Sequence, residues 1–257
     1  MGRAAASTPT DLPVKSAIKK LIHPLRLMAG KFALPERNFI GAHGCLQTGA
    51  SFVAWNQIDG DYLEFGVYRG GSFIAAYHAM ELNRRNVASA NRGNAEIAKW
   101  LSKKPRLFAF DSFAGLPGGE AERQSDYGEG AYACSESEFR RNVSAAGVDM
   151  SRVITVQGMY DKSLTPDVKK KHDLRQAAMV MIDCDLYEST VPVLDFLTDL
   201  VGQGTILVFH DWFRFKGSPN QGEQRACREW LERNPQFELI EYWREGPQAV
   251  AFLVNFK

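Results

Sequence analysis

From residue 61 onward, short unbroken apolar runs alternate with longer segments whose apolar positions return every three or four residues. The short runs have the length of buried strands; the longer segments have the period of a helix packed on one face. On this pattern we predict strands over 62–67, 106–110, 153–157, 178–183 and 204–209, and helices over 72–83, 135–146, 190–201 and 221–233. Strands and helices in strict alternation fold as a parallel sheet covered on both faces, because each crossover must return the chain to the same end of the sheet. The end of the chain breaks the alternation. Two apolar and aromatic runs, 237–243 and 249–256, follow each other across Arg244-Glu-Gly-Pro-Gln, which predicts a closing hairpin. The expected fold class is therefore α/β, a mostly parallel seven-stranded sheet with a C-terminal antiparallel hairpin.

Upstream the pattern is less regular. Residues 15–29 alternate apolar and basic positions at roughly helical spacing, with Pro24 interrupting them. We expect that face to pack on the domain or on a second subunit, forming a homodimer, rather than to lie on a membrane. Residues 39–57, which include His43, read as a helical lid over the ligand site, so the chain divides into an N-terminal helical extension over 1–60 and a main domain over 61–257. Within the main domain, 83–104 reads as a polar insertion with one helix near 95–101, and 116–132 is the longest irregular stretch. A length of 257 residues suits one large domain. A formal charge of +1 gives no nucleic-acid footprint, which leaves a small-molecule acceptor as the expected partner. Cys45, Cys134, Cys184 and Cys227 form no paired motif, so neither a zinc site nor a disulfide framework is expected and a reducing compartment fits. With no signal-like N-terminus and no apolar run of membrane-spanning length, the expected location is cytoplasmic, without membrane association.

Ligands of parallel sheets bind beyond the carboxyl ends of the strands, so the residues at those ends are the candidate site. The first strand runs into Glu64-Phe-Gly66-Val-Tyr68-Arg-Gly70-Gly-Ser72. Glycines there let the backbone approach a ligand, and the following helix start offers unpaired amides. A carboxylate at Glu64 suits a cation, such as the ammonium of a methionine moiety. The spacing is not G-x-G-x-x-G, which counts against a nicotinamide dinucleotide. Asp111, ending the second strand, can accept both hydrogen bonds of a ribose diol. Gln157 and Gly158, ending the third, can frame an adenine ring. The fourth ends in Asp183-Cys-Asp185, where strand alternation puts both carboxylates on one side. Carboxylates so placed repel unless protonated, hydrogen bonded or bridged by a cation. The fifth strand adds His210-Asp211 beside them. An oxygen-rich set suits magnesium; an imidazole admits manganese, iron or zinc. Without a metal, His210 becomes the better general base.

The motifs Leu63-Glu-Phe-Gly-Val-Tyr-Arg-Gly-Gly-Ser72, Asp111-Ser-Phe-Ala-Gly-Leu-Pro117, Asp183-Cys-Asp-Leu-Tyr-Glu-Ser-Thr190 and the Asp211-Trp212 turn resemble those of the macrocin O-methyltransferase (TylF-like) family of S-adenosylmethionine-dependent enzymes. The resemblance covers most of residues 61–257. It implies the Rossmann-like methyltransferase fold and methyl transfer to a hydroxyl, commonly on a sugar attached to a natural product, with Mg2+ holding the acceptor. Carried over by motif, Glu64, Gly66, Tyr68, Gly70, Ser72 and Asp111 line the cofactor site. Asp183 is a metal ligand and general base, and Asp211 a second ligand. This chain departs from the family at His210, where another aspartate is usual, so His210 either ligates the metal, replaces it as base, or points elsewhere. Two further readings are a protein that keeps the cofactor fold but has lost catalysis, hinted at by His210 alone, and a nicotinamide-dependent oxidoreductase, disfavoured by the glycine spacing and the closing hairpin.

Overall fold

The computed structural model describes residues 43–117 and 128–257; the basic amphipathic segment predicted over 15–29 lies outside them. Seven strands, β1 (Asp61–Phe65), β2 (Leu107–Asp111), β3 (Val153–Gln157), β4 (Ala177–Ile182), β5 (Ile206–Phe209), β6 (Phe237–Glu245) and β7 (Ala249–Phe256), form one sheet in the order β3-β2-β1-β4-β5-β7-β6. The pairs from β3 through β5 are parallel, and β7 runs antiparallel to both β5 and β6. This is the predicted mostly parallel sheet with its closing hairpin. The strand order reverses between β1 and β4, the switch point at which open sheets of this kind form a crevice.

Both faces of the strands are apolar because helices cover both. Successive residues point to opposite faces, so Tyr62, Leu107, Met179, Ile206 and Val208 enter one core and Leu63, Phe108, Val180, Leu207 and Phe209 the other. The first core is roofed by α1 (Gly44–Trp55), α2 (Gly71–Ala90) and α4 (Glu136–Ala145), through Leu46, Val53, Phe73, Met80, Phe139 and Val143; α3 (Ala95–Ser102) adds Trp100 at its margin. Short helices α5 (Tyr160–Ser163) and α6 (Pro166–Lys171) lead to β4, while α7 (Tyr187–Leu197) and α8 (Gly222–Arg233) close the second core with Leu194, Phe196, Leu197, Cys227 and Trp230.

Three expectations change. Helix α1, read as part of a lid, buries Cys45, Leu46, Ala50 and Val53 in the core. Gly49 explains how: a Cβ there would stand 3.1 Å from both Met179 and Ile206, so the bare backbone lets α1 settle onto β4 and β5. Helix α1 belongs to the same compact unit as the sheet. The polar insertion over 83–104 is largely helical, since α2 continues to Ala90 with Val87 fully buried. Its charged residues serve that packing, with the Arg84 guanidinium 4.4 Å from the Trp100 ring centre. Finally, α5 and α6 are too short to leave a periodic signal. All four cysteines are buried and unpaired. Among the described residues no helix is long and apolar enough to cross a membrane.

Candidate active site

A cavity of about 620 Å3 opens beyond the carboxyl ends of β1 to β5. On one side stand Gly66, Tyr68, Asp111 and Gly158; on the other Asp183, Asp185, His210 and Asp211.

The first wall is built by a turn that only glycine can begin. Gly66 leaves β1 with φ 87°, and a Cβ there would lie 1.9 Å from the carbonyl oxygen of Asp183. Val67 and Tyr68 then donate their backbone N–H groups to Asp111 Oδ2 at 2.8 and 3.2 Å, while Phe113 N–H donates to Oδ1 at 2.7 Å. Asp111 thus ties the β1 turn to the end of β2. A carboxylate has about four acceptor positions, so Asp111 keeps capacity toward the cavity after these three bonds. Tyr68, itself at φ 41°, meets Tyr132 edge to face with ring centres 5.9 Å apart. Tyr132 lines the cavity too; nothing in the sequence singled it out from the irregular stretch around it.

Four residues predicted for the cofactor site are not brought to the cavity wall: Glu64, Gly70, Ser72 and Gln157. Glu64 is fully buried on the α2 side of β1, accepting hydrogen bonds from the Tyr62 hydroxyl and, at 2.5 Å, from Ser72 Oγ. Strand alternation aims Glu64 into the core, and the Gly66 turn carries the backbone over it. Gly70, left-handed at φ 91°, starts α2, and Gln157 is exposed, with Met159 and Tyr160 lining the cavity beyond it. Arg69, five residues along the same turn, pairs instead with Glu138 at 3.6 Å.

Burial outweighs the two hydroxyl donors and pushes the Glu64 carboxyl from 4.5 up to about 8. The folded protein therefore holds a proton that the unfolded chain releases. Its stabilising effect is complete below about pH 4.5 and is lost as pH rises through about 8. Glu64→Gln keeps the shape without the charge, so its stability relative to wild type should climb with pH, reaching an advantage on the order of 2–4 kcal/mol above pH 8. Urea unfolding of both proteins across that range is the check; a difference that does not vary with pH would show that Glu64 titrates normally.

The second wall gathers around the ends of β4 and β5. Asp183 N–H bonds to Phe65 O at 2.9 Å and His210 N–H to Ile182 O at 2.9 Å, so sheet pairing carries both residues to the rim in register. His210 Nδ1 lies 3.0 Å from Asp183 Oδ1 and 3.5 Å from Asp211 Oδ2. Arg214 Nε donates to Asp211 Oδ1 at 3.0 Å. Asp185 also lines the cavity, but not through the strand alternation we expected. Its backbone is left-handed, φ 62°, so the chain turns beneath Asp183 and the Asp185 carboxyl meets Asp211.

The electrostatics follow from this crowding. Burial favours the neutral forms of Asp183 and Asp185, and neighbouring carboxylates add to it, pushing Asp185 up to about 8. Asp211 is held below the usual range despite its burial, by His210 and Arg214. Burial would lower His210, but its hydrogen bonds and charge pairing with Asp183 and Asp211 prevail and raise it to about 12. An imidazole in that state is protonated and cannot act as a base, which argues against His210 in that role. Nearby, Glu223 is driven well above its ordinary value by burial and the same negative charges.

These side chains suit a cation. Asp183, His210 and Asp211 each offer a donor atom within 4.8 Å of one another. Asp211 Oδ2 is buried without a hydrogen bond. Four carboxyl groups, those of Asp183, Asp185, Asp211 and Glu223, crowd together around His210 and Arg214, so excess negative charge is neutralised by protons or a bound ion. Because His210 sits inside the donor set, it no longer hints at lost catalysis. Sequence reasoning gave no role to Glu223 and did not foresee the contact of Arg214 with Asp211; each works through a partner visible only in the fold.

Similar folds occur in solved structures. The O-methyltransferase NovP is 24% identical, with 81% of this chain and 77% of that one covered and a TM-score of 0.56. The calicheamicin methyltransferase CalS11 is 17% identical over 98% of this chain and 99% of that one, also at 0.56. Cofactor-bound Rv0187 from MTB, 16% identical, covers 98% and 100% at 0.50. A comparison with curated protein sequences finds no match. The match of residues 41–229 to a methyltransferase family profile makes the chain an S-adenosylmethionine-dependent O-methyltransferase. The chain belongs to the macrocin-O-methyltransferase (TylF) family, whose profile matches residues 41–229.

Proposed function

We propose that this enzyme methylates a hydroxyl of a sugar or a sugar-bearing natural product with the assistance of a divalent cation, Mg2+ being the first choice. The observation that carries this reading is the convergence of Asp183, His210 and Asp211 in the same cavity as the Gly66 turn, with Asp211 Oδ2 buried without a hydrogen bond and facing His210 Nδ1 at 3.5 Å. S-adenosylmethionine supplies a methyl group already activated by its sulfonium, and the cation supplies charge that lowers the pKa of the acceptor hydroxyl.

The chain's own residues do the rest. Asp111 and Gly158 stand where a ribose and an adenine would be held, and Tyr68 flanks them. Asp183, His210 and Asp211 are the residues to hold the cation. To ligate, His210 must give up the proton it keeps between the two carboxylates, so metal uptake should release protons. Asp183, favoured in its ionised form by His210 Nδ1 at 3.0 Å, is the base for the acceptor hydroxyl. Asp161, Lys162, Glu188 and Ser189 line the remaining wall and suit an acceptor rich in hydroxyls.

Methyl transfer from S-adenosylmethionine to a panel of glycosylated natural products and free nucleotide sugars tests the reading, before and after chelation. Chelator-treated enzyme should lose activity by about 100-fold and recover it with Mg2+ or Mn2+. Full activity after complete metal removal would sink metal assistance; methylation at nitrogen or carbon would sink the hydroxyl acceptor.

A further inference from the structure

Asp211 is more firmly held than its place at the end of a strand requires. Its carboxylate, only 2% exposed, is set on one side by Arg214, but its backbone is gripped from beneath by the first turn of α8. Glu223 Oε2 accepts the Asp211 N–H at 3.0 Å, and Gln224 donates Nε2 to the Trp212 carbonyl at 2.6 Å. Two adjacent side chains of one helix thus take the donor before and the acceptor after the same short segment.

Entry into that helix is itself specialised. Gly222 has φ 54°, and a Cβ there would meet the Phe215 ring at 2.8 Å, so the chain passes close behind the segment on its way into α8. Glu223 is 1% exposed, lies outside the residues that line the cavity, and leaves Oε1 buried without a hydrogen bond. Burying a carboxyl group to satisfy one backbone N–H is a costly way to gain stability, since a neutral acceptor would do the same with less desolvation. The arrangement makes better sense as a means of fixing where Asp211 points.

We infer that Glu223, seconded by Gln224, is a positioning residue that presents Asp211 to the cation, an inference that rests on the metal-assisted reading above. The test is calorimetric titration of full-length wild type, Glu223→Ala and Glu223→Gln with Mn2+, alongside S-adenosylmethionine affinity and thermal unfolding. Glu223→Ala is expected to weaken Mn2+ by about 10–100-fold, the scale found when groups that orient metal ligands are removed. Glu223→Gln should stay within about threefold of wild type, because its amide oxygen accepts the same N–H. Cofactor affinity should be unchanged in both. Equal losses in the two variants would make Glu223 a ligand and overturn the inference. Unchanged Mn2+ affinity in Glu223→Ala, with only a lowered melting temperature, would reduce it to a stabilising residue and overturn it equally. A wild-type protein that takes up no Mn2+ overturns the metal reading and this inference with it, an outcome distinct from the other two. Should Glu223→Ala not fold, Gln224→Leu carries the test: a several-fold weaker affinity supports the inference and an unchanged one overturns it.

Discussion

Asp183→Ala is expected to lower kcat by about a thousandfold or more while leaving S-adenosylmethionine affinity within a few-fold of wild type. Asp183 meets its surroundings in two separable ways. Its backbone N–H pairs with Phe65 O and its carbonyl packs against Gly66, contacts that any residue can make and that hold β1 and β4 together at the cavity floor. Its carboxyl group alone faces His210, at 3.0 Å, and the donor cluster. Truncation therefore spares the Gly66 turn, but removes the proposed cation ligand and base and the main partner of His210. Without that partner the imidazole has only Asp211 to hold its proton, and its pKa should fall from its present value of about 12. Single-turnover methyl transfer and calorimetric cofactor binding separate the two effects. Wild-type turnover in this variant would remove Asp183 from the mechanism.

Gly66→Ala is expected to cost more than about 4 kcal/mol of stability, or to prevent folding. The added Cβ would stand 1.9 Å from the Asp183 carbonyl oxygen and 2.8 Å from its carbon, at a φ of 87° that L side chains rarely adopt. Both obstructing atoms are backbone, fixed by the parallel pairing of Phe65 with Ile182, so neither can swing aside as a side chain would. Gly71→Ala supplies the control. With nothing within 4 Å of its added Cβ, it should fall within about 0.5 kcal/mol of wild type. Denaturant unfolding of both variants decides the matter, and a Gly66→Ala protein of normal stability would mean that β1 and β4 can part without loss.

Most of the chemistry at the strand ends was legible because strand ends are local features. Apolar runs followed by Asp111, Asp183 and His210-Asp211 were visible as such, and the sheet brought those residues to one cavity. What the residues do there was less accessible. Asp111 was expected to await a ribose, yet it already holds the amides of Val67 and Tyr68, more than forty residues earlier in the chain. Glu64 lies in the same motif as Gly66, but the strand's two-residue alternation turned it into the core against Tyr62 and Ser72. Asp185 reaches the site through a left-handed turn that an extended reading of Asp183-Cys-Asp185 did not contain.

The sequence by itself determined the layering: alternating apolar periods specify strands and helices, and their order specifies a parallel sheet closed by a hairpin. Periodicity records which face of an element is buried. It does not record what that face is buried against. Only the tertiary structure decided that α1 roofs the core, that Glu64 is buried against Tyr62 and Ser72, and that α8 reaches back through Glu223 and Gln224 to the backbone of Asp211 and Trp212. Each of these depends on a partner distant in sequence, chosen by strand order and by the close approaches that Gly49, Gly66 and Gly222 permit.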